Sequence, residues 1–125
     1  MKTDRIDIPS GSTGLAYALT VHRFGEPGAR PTITIQAALH ADEIPGMICA
    51  ATLRRHLLAC EAAGEIRGEI ILVPVANPIG LAQDVLGDPL GRFSLGDGGN
   101  FNRGFPSLAA PLAERVKGSL GPDPD

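Results

Sequence analysis

The stretch that decides the fold is Thr32-Ile-Thr-Ile-Gln-Ala-Ala-Leu-His-Ala-Asp-Glu43. It is followed at once by an Ala- and Leu-rich run over 44–63 and, beyond Gly64, by Glu69-Ile-Ile-Leu-Val-Pro-Val-Ala76. The first and last segments are short and dense in Ile, Val and Leu, the pattern of strands buried on both faces, so strands are expected at 32–39 and 69–76. The middle run starts after an acidic pair and stops at a glycine, as a helix does. Strand, helix and strand in this order predict an α/β fold, a mixed β-sheet with flanking helices.

Outward from this unit, residues 15–23 read as a third strand. Residues 5–9 read as a short edge strand, joined to it through the Gly-Ser-Thr-Gly turn at 11–14 into an N-terminal hairpin. On the central helix, Thr52, Arg55 and His56 share the polar side. The sixteen Gly and eleven Pro gather around 74–106, which predicts a long structured loop with a task of its own. A second helix is expected at 108–117, following Pro106 and ending at Gly118, with a frayed tail at 121–125. An α/β layout would continue from there into another strand, and none follows. One domain over 1–125 with an unfinished sheet and a bare strand edge is the expectation.

Composition narrows the function classes. With 43% hydrophobic and 20% charged residues the chain is ordinary globular material. One Tyr, four Phe, no Trp and a net charge of −3 leave neither stacking platforms nor a basic face, so nucleic acid is not an expected partner. The longest apolar run, 70–76, is far too short for a bilayer, which gives no membrane contact and a cytoplasmic location as the default expectation. Cys49 and Cys60 fall in one helix about 16 Å apart, beyond disulfide reach, and read as small core residues of a reducing compartment.

Three places carry candidate chemistry. The first is His40-Ala-Asp-Glu43, at the carboxyl end of a strand where a helix begins, a position whose side chains face a crevice. His and Glu three residues apart can reach one ion, and both are proper zinc ligands. The pair alone is a weak signal, and a structural account stands beside it: Asp42 caps the helix, Glu43 favours its positive end and His40 is a satisfied strand-end histidine. The second is the polar loop Gly91-Arg-Phe-Ser-Leu-Gly-Asp-Gly-Gly-Asn-Phe-Asn-Arg-Gly-Phe-Pro106. There Asn102 and the fork of Arg103 make a carboxylate clamp, unless Arg103 merely pairs with a local Asp. The third is Asn77-Pro78, where Asn77 shapes the turn and, secondarily, lines the crevice.

Taken in order, these stretches resemble the succinylglutamate desuccinylase and aspartoacylase family, a branch of the zinc carboxypeptidase-like hydrolases. Its pattern is a strand ending in His-Gly-Asp/Asn-Glu, a strand ending in an Asn-Pro turn, then Asp-Gly-x-Asn-Leu-Asn-Arg-x-Phe-Pro. The corresponding stretches are His40-Ala-Asp-Glu43, Val73-Pro-Val-Ala-Asn-Pro78 and Asp97-Gly-Gly-Asn-Phe-Asn-Arg-Gly-Phe-Pro106. Ala41 and Phe101 depart from it, both keeping small or apolar character.

The resemblance implies a zinc ion (Zn2+) held by His40 and Glu43, a substrate carboxylate held by Asn102 and Arg103, and Arg92 steadying the oxyanion, though the spacing of Arg92 from Asn102 is not matched. The implied substrate is a small N-acyl amino acid with a free carboxylate, and the implied reaction is amide hydrolysis. In the family a second His and a general-base Glu come from further downstream. His56, about 20 Å along the helix, and His22, on another strand, do not replace them. The expectation is thus the N-terminal part of a zinc carboxypeptidase-like catalytic domain, incomplete and inactive alone. Two other readings use the same residues: a zinc carboxypeptidase acting on peptide C-termini, and a catalytically dead α/β binding or assembly module that forms a homo-oligomer through its bare sheet edge.

Overall fold

A computed structural model describes residues 1–117. Four strands form one sheet in the order β1-β2-β4-β3: β1 (Lys2–Ile8), β2 (Tyr17–Gly25), β3 (Thr32–Gln36) and β4 (Glu69–Val73). The pairs β1/β2 and β2/β4 are antiparallel and β3/β4 is parallel, so the sheet is mixed as expected. The parallel pair is joined by helix α1 (Ile44–Ala62), the crossover that a parallel connection requires. It stops where Gly64 takes a positive φ of 69°. The N-terminal hairpin forms in full, with seven paired positions from Lys2↔Arg23 to Ile8↔Tyr17.

Alternation along β2 and β4 decides which side is core. Phe24 and Leu72 point to the α1 face and are fully buried, and Ala50 and Leu57 of α1 close over them. On the opposite face Arg23 lies between two carboxylates. Its Nε donates to Asp4 Oδ2 at 3.0 Å and its Nη1 to Glu69 Oε1 at 2.9 Å. The other Glu69 oxygen accepts the Gly28 amide at 3.1 Å, so this buried carboxylate is satisfied at both ends. Glu61 of α1 accepts the Gly25 amide at 3.0 Å and pairs with the terminal ammonium of Met1, which ties the helix end to the hairpin.

Both central strands end earlier than their apolar runs. β3 stops at Gln36 because Ala38 adopts φ 55°, a left-handed conformation that turns the chain away. β4 stops at Val73 because Pro74 has no amide to give the ladder. The two strand ends remain joined by single hydrogen bonds, Ala37 N to Val73 O at 3.0 Å and Ala76 N to Ala37 O at 2.8 Å. The region 74–106 is ordered as expected, and it holds a short helical turn α2 (Pro78–Leu81), a two-residue hairpin β5/β6 (Asp84–Val85 and Asp88–Pro89) and a bridge between Phe93 and Asn100.

Two expectations need correction. Cys49 is exposed, because it falls on the flank of α1 away from Phe24 and Leu72, while Cys60 is partly buried; both thiols are free. Asp42 does not cap α1. The capping position is Glu43, which makes no capping hydrogen bond, and Pro45 in the first turn lowers the number of amides that need one. The second helix forms within the expected 108–117, as α3 (Ala109–Val116), and buries no residue. The stop at Gly118 and the tail at 121–125 lie outside the described residues. No helix among those described is long and apolar enough to cross a membrane.

Candidate metal centre

The left-handed turn at Ala38 carries the chain from the end of β3 into α1 and sets His40 inside the fold, 3% exposed, with Glu43 three residues on and open to solvent. Asn77 fixes this turn from behind. Its amide donates to Leu39 O at 3.0 Å and its Oδ1 accepts the Gly80 amide at 2.8 Å, so the ends of β3 and β4 share one buried side chain. From the other side Gly91 presses on the turn. Its carbonyl accepts the Ala41 amide at 2.9 Å, and a side chain at Gly91 would run into the backbone of Ala41 and Asp42.

That contact delivers Arg92. Its Nη1 donates to His40 Nδ1 at 2.8 Å, its Nη2 to Glu43 Oε1 at 2.7 Å, and its Nε lies 3.6 Å from Asp42 Oδ2. The other Asp42 oxygen is buried without a partner among the described residues. On the far side of the imidazole, Nε2 lies 2.8 Å from Asn100 Oδ1, which also accepts the Asn102 amide at 2.9 Å. An amide oxygen only accepts, so the imidazole proton is assigned to Nε2 and the Nδ1 lone pair faces Arg92. His40 Nδ1 and Glu43 Oε1, 3.1 Å apart, are therefore two electron-pair donors aimed at one cationic group. With His40 Nδ1 unprotonated in this tautomer, the Arg92 guanidinium is the donor that holds the Glu43 carboxyl below its ordinary pKa.

This donor set tests whether a zinc ion fits. An imidazole nitrogen and a carboxylate oxygen converging on a positive charge are what zinc asks for, and the imidazole's other nitrogen is fixed by an amide, as metal-ligating histidines require. They fit as two ligands of a larger set. Among the described residues no group of three or more His, Cys, Asp or Glu side chains is placed to hold a metal ion together.

A groove of about 800 Å³ runs from this pair along the outer edge of β3, lined by apolar residues such as Ile35, Leu39 and Leu53 together with His40, Glu43 and Asn102. Of the expected clamp, Asn102 reaches the groove. Arg103 does not: it is exposed, pairs with no Asp among the described residues, and donates to the carbonyl of Asn102 at 2.7 Å. Phe93 and Phe105 are also exposed, so hydrogen bonds hold the loop. Gln83 supplies three of them, donating to Leu90 O and Phe93 O at 2.6 and 2.7 Å and accepting the Leu95 amide at 2.9 Å. Asn100 and Gly91 are residues of this place that the sequence reading gave no role, and Asp42 was read only as a helix cap. Asn100 and Asp42 were visible as fixed positions of the quoted motifs, whereas Gly91 acts through tertiary contact.

Comparison with known proteins agrees with the geometry. The catalytic domain of the succinylglutamate desuccinylase/aspartoacylase family matches residues 29–117. A crystal structure of a protein of this description from Shewanella frigidimarina NCIMB 400 is 25% identical, with a TM-score of 0.67, over 93% of this chain and 30% of its own. A family protein from Shewanella amazonensis SB2B is 29% identical, with a TM-score of 0.63, over 97% of this chain and 33% of its own. The chain thus spans about a third of the length of these relatives, and no curated protein matches it. The matched residues include the His40–Glu43 turn and the Asn100–Arg103 loop, and the chain belongs to the succinylglutamate desuccinylase/aspartoacylase family.

Proposed function

We propose that this chain supplies the opening part of a zinc-dependent amide hydrolase site acting on N-acyl amino acids, with His40 and Glu43 as metal ligands. The observation that carries the reading is the convergence of His40 Nδ1 and Glu43 Oε1 on one cation, 3.1 Å apart. Zinc in such a site polarises an amide carbonyl and lowers the pKa of bound water to about 7. The chain's own residues hold and orient. Asn100 fixes the imidazole, and Asn77 keeps the turn beneath it in place. Arg92, with five donors, serves a developing oxyanion once its contact with His40 and Glu43 is released. Asn102 in the groove and Arg103 beside it receive the substrate's carboxylate, which requires Arg103 to leave the Asn102 carbonyl.

The test is zinc content and zinc affinity of the purified chain beside a His40→Ala variant. Weak zinc binding at one site, lost in the variant, is the expected result; equal binding by both proteins sinks the reading. In an active full-length relative carrying these motifs, N-acyl amino acids should be cleaved in preference to peptide C-termini, and the reverse would favour a carboxypeptidase. A second reading, an assembly module, draws on the outer edge of β3, which pairs with no strand among the described residues and leaves Ile33 half-exposed. It predicts a stable metal-free dimer in size-exclusion chromatography.

A further inference from the structure

Helix α1 has two flanks. One borders the groove along β3 through Gly46, Cys49 and Leu53. Rotation by about 100° per residue puts Ile48, Ala51, Thr52 and Arg55 on the opposite flank, where they border a separate cavity of about 600 Å³ with Arg54 and with His22 of β2. Its polar lining is two guanidinium groups, an imidazole and a hydroxyl, with no carboxylate among them. Lys2, Arg5, Arg23 and Arg92 all reach a carboxylate; Arg54 and Arg55 reach none among the described residues.

Two details set this apart from an ordinary basic surface. The Nε of Arg54 is sealed from solvent and has no acceptor among the described residues, which is rare because a buried donor without a partner is costly. His22 is 8% exposed, and its Nδ1 lies 3.0 Å from the hydroxyl of Thr3. Burial, and then the charge of Arg54, hold its pKa below 6.5, so the ring is neutral at pH 7. The Thr3 hydroxyl can donate to Nδ1 or accept from it; with the hydroxyl assigned as donor, the ring proton is placed on Nε2 and the imidazole adds an N–H donor. The cavity thus offers donors and positive charge, bordered by Ile48, Ala51 and Pro74.

We propose that this cavity binds a small tetrahedral oxyanion of the phosphate class, held by Arg54, Arg55, Thr52 and the Nε2–H of His22. The guanidinium forks match oxyanion geometry, and a free phosphate, or the phosphate group of a small metabolite, presents the several acceptors that the four donor groups require. None of these residues belongs to the candidate metal centre, so the proposal stands or falls apart from the zinc reading.

The test is titration of the 125-residue chain with inorganic phosphate at constant ionic strength, following the His22 imidazole resonances. Sulfate and succinate serve as parallel arms. Saturable shifts with phosphate, competed by sulfate, are expected, with binding weakened about tenfold in Arg54→Gln and again in Arg55→Gln. Arg55 is exposed, so its variant reports on the site even if Arg54→Gln does not fold. Shifts that never saturate, or that persist unchanged in folded Arg55→Gln, overturn the site, and tighter binding of succinate than phosphate overturns the ligand class.

Discussion

His40 is held by three polar groups of different kinds. Asn100 accepts its Nε2–H, Glu43 sets a carboxylate beside its lone pair, and the Arg92 guanidinium bridges that lone pair to the carboxylate. A guanidinium so placed competes with any metal for the same two electron pairs. Arg92→Ala should therefore tighten zinc binding by this chain, by roughly tenfold given the usual worth of charge-assisted hydrogen bonds. Calorimetric titration checks it, and weaker binding in the variant would mean that Arg92 organises the pair and does not compete for it. The His-x-x-Glu spacing was plain in the sequence. The contact with Arg92 was not, because 49 residues separate it from Glu43 and no local rule joins them.

At the scale of elements, one loop decides whether the strand end becomes a site. Gly91 sits against the backbone of Ala41 and Asp42 with no room for a methyl group, and its carbonyl receives the Ala41 amide. Gly91→Ala should destabilise the fold by about 1–3 kcal/mol through overpacking against a backbone that cannot give way. It should also carry Arg92 away from His40. Urea denaturation measures the first effect. Loss of the dependence of zinc affinity on Arg92 measures the second, and a variant as stable as the parent contradicts both. A glycine-rich loop was legible in the composition; which glycine bears the contact was not.

For the whole molecule, acid sensitivity follows from groups spread over both faces of the sheet. His22 is held below its ordinary 6.5 by burial and by Arg54. Glu69 is held below 4.5 by the Gly28 amide and then Arg23, Glu61 below 4.5 by the terminal ammonium and then the Gly25 amide, and Asp4 below 3.8 by Lys2 and then Arg23. Each folded pKa is depressed, so in acid the unfolded chain binds more protons. The stability each contributes is complete above its unfolded value and is lost as pH falls through the folded one. Melting temperature should be level above about pH 7, decline below 6.5 through His22 and decline more steeply below 4.5 through the carboxylates. Glu69→Gln should lower stability at neutral pH and flatten the second decline; an unchanged profile in that variant would remove Glu69 from the account.

Local pattern was enough for the element types and for naming His40 and Glu43 as candidate donors. The runs of Ile and Val at 32–36 and 69–73 and the Ala- and Leu-rich 44–62 specify strand, helix and strand through burial and propensity, and His40 with Glu43 follows from position at a strand's carboxyl end. The family pattern is likewise written in contiguous residues, His40 to Glu43 and Asp97 to Pro106. Three things came only from packing in three dimensions: the left-handed turn at Ala38 that cuts β3 short, the seat of Gly91 against Ala41, and the reach of Arg92 across the pair. Each depends on which distant segments meet, and chain entropy is spent on such contacts only when burial elsewhere, here around Phe24 and Leu72, has already brought the segments together.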